Sequence, residues 1–182
     1  MGNVLDNMKR VLITKEEIDR KISELALQIE KEYKGKKILM VCILRGAFLF
    51  FSDLVRKINL PIEIDFMAIS SYGSDATSSG EVKVVKDLNE RIEGKDVIIV
   101  EDIIDSGYTL TYLKNLFLQR NPKSLKICAL LDKPERRKVE IEGDYVGFKI
   151  PNEFVVGFGL DYAERFRNLD SIYILKPEVY TK

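Results

Sequence analysis

Three carboxylates lie close together in the segment from Val97 to Thr111, VIIVEDIIDSGYTLT. Glu101 and Asp102 are adjacent and follow a short apolar run, and Asp105 comes four residues after Glu101. Carboxylates accept hydrogen bonds from vicinal hydroxyls such as those of a ribose, and a third carboxylate at this spacing could accept a proton. The segment therefore predicts a site for a hydroxylated ligand. The structural alternative is that the carboxylates are only solvated charges at the end of a strand.

The residues after Asp105 add a candidate anion site. Ser106 to Thr109 combines small or hydroxyl side chains with successive backbone N–H groups at the start of a helix, an arrangement that favours a phosphate. The same residues have a purely structural explanation, in which Ser106 or Thr109 caps the helix and Gly107 makes the turn. These residues alone do not distinguish a phosphate site from a helix cap.

The residue inventory excludes several kinds of chemistry. The chain has no histidine, which excludes Ser-His and Cys-His nucleophilic pairs, HExxH zinc sites and imidazole general bases. No GxxxxGK[ST] motif occurs, and Gly157 and Gly159 are followed by Tyr162 where a dinucleotide motif needs its third glycine. Catalysis must therefore use carboxylates, Lys, Arg, Tyr and backbone groups, which suits chemistry on phosphates with Mg²⁺, a hard cation that prefers oxygen ligands.

Charge and hydropathy indicate the compartment and the partners. The 29 basic and 29 acidic residues cancel, so we expect no nucleic-acid partner held by a general basic field. Cys42 and Cys128 each lie in an apolar run, which suits buried, reduced thiols better than a disulfide or a metal site. The N-terminal residues lack the apolar stretch of a signal peptide, and no segment reaches the ~18 apolar residues of a membrane helix. We therefore expect a cytoplasmic protein with no membrane partner.

The elements that must position the carboxylates alternate along the chain. Thr14 and Glu17 form a capping-box pattern ahead of apolar residues at helical spacing, which predicts an amphipathic helix. The apolar run from Lys37 to Leu44 predicts a buried strand, and a helix over 47–58 and a strand over 62–70 would complete a βαβ unit.

A second such unit carries the candidate site. The sequence predicts a strand over 96–100, a turn over 101–107, a helix over 109–120 and a strand over 124–131. The last third of the chain is less regular, with short strand candidates around 145–148, 154–156 and 171–175. We expect an α/β fold, with a mainly parallel sheet flanked by helices, in a single domain over residues 1–182.

Several ordered motifs resemble one known family. The segment VIIVEDIIDSGYTL resembles the phosphoribosyl pyrophosphate (PRPP) motif of type I phosphoribosyltransferases, and most closely that of the hypoxanthine-guanine phosphoribosyltransferases. The other matching motifs are LRG (44–46), SSYG (70–73), LLDKPERR (130–137), DYVGFKIPNEFVVGFGLDY (144–162) and FRNL (166–169). The resemblance implies the type I fold, with a small hood built from the N- and C-terminal segments and a flexible lid loop over about residues 70–81.

The resemblance assigns roles to the residues around the carboxylates. Glu101 and Asp102 are expected to bind the ribose hydroxyls of PRPP, and Asp105 is expected to act as the general base toward the purine N7 proton. The residues expected to enclose the 5-phosphate are Asp105, Ser106, Gly107, Tyr108 and Thr109, with Tyr108 contributing its backbone N–H.

Pyrophosphate contacts are implied at two further places. Arg45 and Gly46 match the family's short pyrophosphate loop, in which a cis peptide bond after Leu44 can aim backbone groups at the leaving group. Arg167 matches the family's pyrophosphate-binding arginine. Without the resemblance, LRG is only the end of a strand followed by the start of a helix, and Arg167 is one charge among many.

The acceptor base, the metal and the lid are implied in the same way. Lys133 matches the lysine that donates to the exocyclic oxygen of the base, which favours a 6-oxo group over an amino group. Phe154 matches the aromatic residue that stacks on the purine, although alone it would more often be a core residue, and Val155 matches the residue whose backbone meets the base edge. The expected Mg²⁺ residues are Glu101, Asp102 and Asp161, and the expected lid residues are Ser71 and Tyr72.

The implied reaction is the purine-salvage transfer of a phosphoribosyl group from PRPP to hypoxanthine or guanine, which releases pyrophosphate and gives IMP or GMP. A homodimer or homotetramer is expected, as in the family. One alternative keeps the PRPP site but uses xanthine, uracil or adenine, and Lys133 and Phe154 disfavour adenine most strongly. A second alternative is a regulator that binds PRPP or nucleotides and controls nucleic acid, for which this neutral chain shows no basic face.

Overall fold

The computed structural model describes residues 3–71 and 82–181 of the chain. Its strands are β1 (Met8–Ile13), β2 (Ile38–Leu44), β3 (Ile62–Ser71), β4 (Val82–Lys86), β5 (Asp96–Ile104), β6 (Ser124–Asp132), β7 (Tyr145–Lys149), β8 (Val155–Val156) and β9 (Ile172–Leu175). Its α-helices are α1 (Lys15–Glu32), α2 (Phe48–Lys57), α3 (Tyr108–Leu118) and α4 (Pro177–Tyr180), and short 3-10 helices occur at Val4–Asn7 and Pro134–Arg136.

The larger sheet has six strands in the order β4-β3-β2-β5-β6-β7. Neighbouring strands in it run parallel, except that β4 is antiparallel to β3. Residues 38–43 of β2 and 97–100 of β5 are buried, because helices cover both faces of the central strands, and this explains their unbroken apolar runs. The predicted α/β fold with a mainly parallel sheet is confirmed.

Successive residues of the central strands face opposite helical layers. Met40 and Cys42 belong to the cluster that includes the buried residues of α1 and α2, whereas Leu39 and Val41 belong to the cluster on the side of α3. The start of α1 has the predicted capping box: Thr14 Oγ1 accepts from the backbone N–H of Glu17, and the Glu17 carboxylate accepts from that of Thr14. The central strands, whose carboxyl ends carry the candidate residues, are therefore packed between two helical layers.

One boundary differs from the sequence prediction at the candidate site. The strand β5 continues through Ile104, because Ile103 and Ile104 pair with Leu131 and Asp132 of β6. The prediction of a turn beginning at residue 101 is therefore wrong, since Glu101 and Asp102 lie within the strand and the turn begins at Asp105. The backbone pairing with β6 outweighs the polar character of the two carboxylates.

A smaller antiparallel sheet, β1-β9-β8, forms a hood beside the main sheet. It joins segments from both ends of the chain around a core of Met8, Val156, Phe166 and Leu175. The hood implied by the resemblance is thus present.

The lid, the membrane and the single-domain predictions differ in how far the described residues test them. The lid residue Tyr72 lies outside the described residues, and for Ser71 the structure gives only its place at the end of β3. Within the described ranges, no helix is both long and apolar enough to cross a membrane. The assignment of all of residues 1–182 to one domain remains a prediction.

Candidate active site

A cavity of about 250 Å³ lies at the carboxyl ends of β2 and β5. Its lining includes Glu101, Asp102 and the predicted anion loop, residues 105–107 with Thr109, but not the side chain of Tyr108, which is exposed. Gly107 caps the start of α3 with φ +90°, and a Cβ there would lie 2.7 Å from Ile141 Cγ2. Glycine is therefore required for the loop to turn into the helix and present its backbone N–H groups.

Burial makes it energetically costly for the adjacent carboxyl groups of Glu101 and Asp102 to be charged. Burial raises the pKa of Glu101 well above its ordinary value, and the neighbouring Asp102 raises it further. Burial likewise raises the pKa of Asp102 to about 6, against hydrogen bonds such as that from the backbone N–H of Ile103, at 2.7 Å, and the attraction of Arg167. Within the described ranges neither carboxylate has a cation within 4 Å, so a bound hydroxyl or metal would relieve the cost of keeping them charged.

The loop after β2 closes one side of this cavity. The peptide bond between Leu44 and Arg45 is cis. A Cβ on Gly46 would lie 1.6 Å from Asp102 Oδ2, and one on Gly159 would lie 2.1 Å from the carbonyl oxygen of Gly46. The absence of side chains at both glycines lets the hood, this loop and the end of β5 meet.

A second cavity, of about 370 Å³, lies between the main sheet and the hood, and we call it the acceptor cavity after the base contacts predicted there. Lys133 lines it and is only 8% exposed, and burial lowers the pKa of Lys133, an effect that Asp105 partly offsets. Phe154 and Val155 line the hood side of the same cavity. Ile103 and Asp105 line both cavities, so the cavity of the predicted anion loop adjoins the cavity of the predicted base contacts.

Comparison with known proteins assigns this site to a family. Residues 12–163 match the family described as the phosphoribosyl transferase domain. The chain is 52% identical to the hypoxanthine-guanine phosphoribosyltransferase of Streptococcus thermophilus over 97% of this chain and 98% of that protein. This chain belongs to the hypoxanthine-guanine phosphoribosyltransferase family. A solved hypoxanthine phosphoribosyltransferase from Staphylococcus aureus is 50% identical, covers 100% of both chains and superposes with a TM-score of 0.95.

Some relatives of this phosphoribosyltransferase chain are longer. It is 54% identical to the bifunctional protein TilS/HprT of Listeria monocytogenes over 97% of its own residues, but it spans only 27% of that protein.

The two arginines that the resemblance assigns to pyrophosphate line neither cavity, although Gly46 lines the first and Asp161 the second. Arg167 donates to the carbonyl oxygen of Gly159 at 2.8 Å and forms an ion pair with Asp161 at 2.9 Å. The exposed Arg45 pairs with Glu164 at 2.5 Å, and Glu164 also lies 3.4 Å from Arg167. The structure therefore brings the two arginines together across one carboxylate, Glu164, which the sequence analysis did not single out.

Two residues of the acceptor cavity were also missed. Arg136 Nε donates to Asp105 Oδ1 at 3.0 Å, although the motif LLDKPERR was noted without a role for this arginine. Tyr180 lines the cavity from α4. Adjacent arginines near Lys133 gave a signal for Arg136, but nothing in the sequence indicates that a tyrosine near the C-terminus reaches the site.

The donor set suits Mg²⁺ only in combination with a substrate. Glu101, Asp102 and Asp161 supply the oxygen ligands that Mg²⁺ prefers. Among the described residues, however, no group of three or more His, Cys, Asp or Glu side chains is placed to hold a metal ion, and Asp161 lines the acceptor cavity rather than the cavity of Glu101. Magnesium commonly binds through one or two carboxylates with water and substrate phosphates, and the buried, uncompensated pair fits that mode.

Proposed function

We propose that this protein transfers the 5-phosphoribosyl group of PRPP to N9 of hypoxanthine or guanine, which gives IMP or GMP and pyrophosphate in purine salvage. The observation that carries the proposal is the meeting of the two cavities at Asp105 and Ile103. An anion loop with ribose-binding carboxylates on one side and a lysine with an aromatic ring on the other would place sugar and base in contact. Membership of the family supports the same reaction.

The PRPP half of the site uses charge and backbone dipoles. Glu101 and Asp102 accept hydrogen bonds from the ribose hydroxyls, and the N–H groups of residues 106–109 hold the 5-phosphate at the start of α3. Arg45, Gly46 and Arg167 contact the pyrophosphate. Glu101, Asp102 and Asp161 would hold Mg²⁺ together with the substrate, and the bound ion would supply positive charge that offsets the charge of the leaving group.

The acceptor half selects and orients the base. The buried ammonium of Lys133 donates to the 6-oxo group, Phe154 stacks on the ring, and the Val155 backbone meets its edge. As N9 bonds to C1 of the ribose and the bond to pyrophosphate breaks, Asp105 accepts or shares the N7 proton as general base. The site then favours the separated charges of an oxocarbenium-like transition state over the ground state.

The lid residues Ser71 and Tyr72 would exclude water from the reacting ribose.

We propose that the protein forms a homodimer or homotetramer. Light scattering of the purified protein measures this oligomeric state. The buried free thiols Cys42 and Cys128 support a cytoplasmic location, where thiols stay reduced.

The proposal is tested by mixing the purified protein with Mg²⁺, PRPP and one base at a time, and by measuring pyrophosphate release. Hypoxanthine and guanine should support turnover, adenine and uracil should not, and chelation of Mg²⁺ should stop the reaction. Xanthine tests how far the acceptor range extends. Release with adenine but not with hypoxanthine would contradict the assigned role of Lys133, and no release with any base would contradict the function.

A further inference from the structure

The aromatic ring of Tyr180, at the end of α4, stacks on Phe154 inside the acceptor cavity. Their ring centroids lie 4.8 Å apart with an interplanar angle of 23°, and Tyr162 meets Phe154 edge-on at 5.7 Å and 88°. Phe154 remains 36% exposed, and both Phe154 and Tyr180 line the cavity. A stacked ring at this distance leaves no space for a base between Phe154 and Tyr180.

The position of Tyr180 identifies which face of Phe154 stays free. Tyr180 and Tyr162 pack against the hood core, the cluster that includes Val156 and Phe166. Ile103, near the carboxyl end of β5, lines the same cavity from the main sheet. Tyr180 covers one face of Phe154, which leaves only the other face of that ring for a ligand.

The segment that carries Tyr180 is fixed at several points. The backbone N–H of Leu175 donates to the carbonyl oxygen of Phe154 at 2.8 Å, so β9 is tied to the residue that Tyr180 stacks on. The backbone N–H of Lys176 donates to Asn7 at 3.0 Å, and Lys176 Nζ donates to the carbonyl oxygen of Asp6 at 2.7 Å. These contacts anchor the chain directly before α4, the helix that carries Tyr180.

We propose that Tyr180 is a positioning residue for the acceptor base. Tyr180 restricts the orientation of the Phe154 ring. The purine then enters between Phe154 and Ile103 and stacks on a Phe154 ring that is already correctly oriented. A preorganised surface lowers the cost of ordering side chains when the ligand binds. This inference rests on the function proposed above and adds the C-terminal segment to the residues that set affinity for the base.

The test compares steady-state kinetics of the wild type, Tyr180→Ala, Tyr180→Leu and Tyr180→Phe. Loss of one aromatic stack should raise KM for hypoxanthine and guanine by about 3- to 10-fold in the Ala and Leu variants. Tyr180→Phe keeps a flat ring and should restore the wild-type KM. The KM for PRPP and kcat should stay within about 2-fold in all three variants, because Tyr180 does not line the cavity of the anion loop.

Tyr112→Ala is the matched control, since it removes an exposed tyrosine on α3 that does not line either cavity. An unchanged KM for the base in both Tyr180→Ala and Tyr180→Leu would overturn the inference. So would a lower KM, which would mean that Tyr180 occupies the place of the base. Equal losses in every kinetic constant, together with a lower Tm, would show a purely structural role. An inactive wild type would instead refute the proposed function, and this inference with it.

Discussion

Among single residues, Asp105 is the one on which the proposed reaction depends most. Its carboxylate lines both cavities and accepts a hydrogen bond from Arg136 at 3.0 Å. In a chain without histidine, it is the group best placed to take a proton from a bound purine. An asparagine at this position can still accept from Arg136 through its side-chain oxygen, so the substitution separates proton transfer from packing.

We predict that Asp105→Asn lowers kcat for hypoxanthine by about 10²- to 10⁴-fold, the range typical of general acid–base catalysis. The KM for PRPP should change little, because the other loop residues remain. The measurement is kcat across the pH range, with Asp170→Asn, an exposed residue outside both cavities, as the control. Full turnover by Asp105→Asn at every pH would contradict the role of general base.

Glu164 leads to a second prediction at this scale. Its exposed carboxylate pairs with Arg45 and Arg167. In the proposed reaction, pyrophosphate oxygens would compete with Glu164 for the same guanidinium groups. Exposed ion pairs are worth about 0.2–1 kcal/mol each, so Glu164→Gln should lower KM for PRPP by about 2- to 5-fold. Initial rates at varied PRPP measure this effect, and Glu142→Gln, an exposed residue outside both cavities, is the control. A KM that stays the same or rises would show that Glu164 does not compete.

The elements show which parts of the molecule could be predicted from the sequence. The apolar runs predicted β2 and the centre of β5, and the Thr14–Glu17 pattern predicted the start of α1, because burial and capping are local or periodic signals. The extension of β5 through Ile104 depends on pairing with β6, which is a tertiary contact. Sequence patterns cannot report such a contact.

The amino ends of the strands provide a test of stability at this scale. Glu63 of β3 forms ion pairs with two lysines. One is Lys37, just before β2, and the other is Lys95, just before β5, whose Nζ lies 2.8 Å from the Glu63 carboxylate. The hydrogen bonds from Lys37 and Lys95 lower the pKa of Glu63 to about 2. Because the folded state favours the charged form, this stabilisation is complete above the ordinary pKa of 4.5 and is lost as the pH falls from there toward 2.

We predict that Glu63→Gln lowers the free energy of unfolding at pH 7, by less than about 1 kcal/mol because solvent screens these partly exposed pairs. The difference from the wild type should shrink at pH 3. Denaturant unfolding at both pH values measures it, with Glu142→Gln as the matched control. An equal loss at pH 7 and pH 3 would show that the effect does not come from the charge of Glu63.

At the scale of the whole molecule, the site exists only where the sheet and the hood meet. Residues 101–109, Lys133 and Phe154 could be predicted as site residues from their resemblance to a family. The bridging Glu164 and the stacked Tyr180 could not, because their roles follow from distances between segments that are far apart in the chain. The C-terminal segment reaches the site only because β9 pairs with both β1 and β8.

This arrangement predicts stabilisation by ligand. PRPP with Mg²⁺ at about 100 times its Kd should stabilise the folded protein by about 2.7 kcal/mol. For a chain of this size, that corresponds to a rise in Tm of roughly 5–10 °C. Thermal unfolding with and without the ligands measures it. Asp102→Asn should lose most of the rise, and Asp53→Asn, on α2 and outside both cavities, should keep it. Equal shifts in the two variants would place the PRPP site elsewhere.

The central claim is that one continuous site joins PRPP to an oxopurine at Asp105. The most direct test measures nucleotide and pyrophosphate together, by chromatography and mass spectrometry, after the protein has reacted with PRPP, Mg²⁺ and hypoxanthine. The account predicts IMP and pyrophosphate in equal amounts and almost none of either from Asp105→Asn. Pyrophosphate without IMP, or neither product from the wild type, would contradict it.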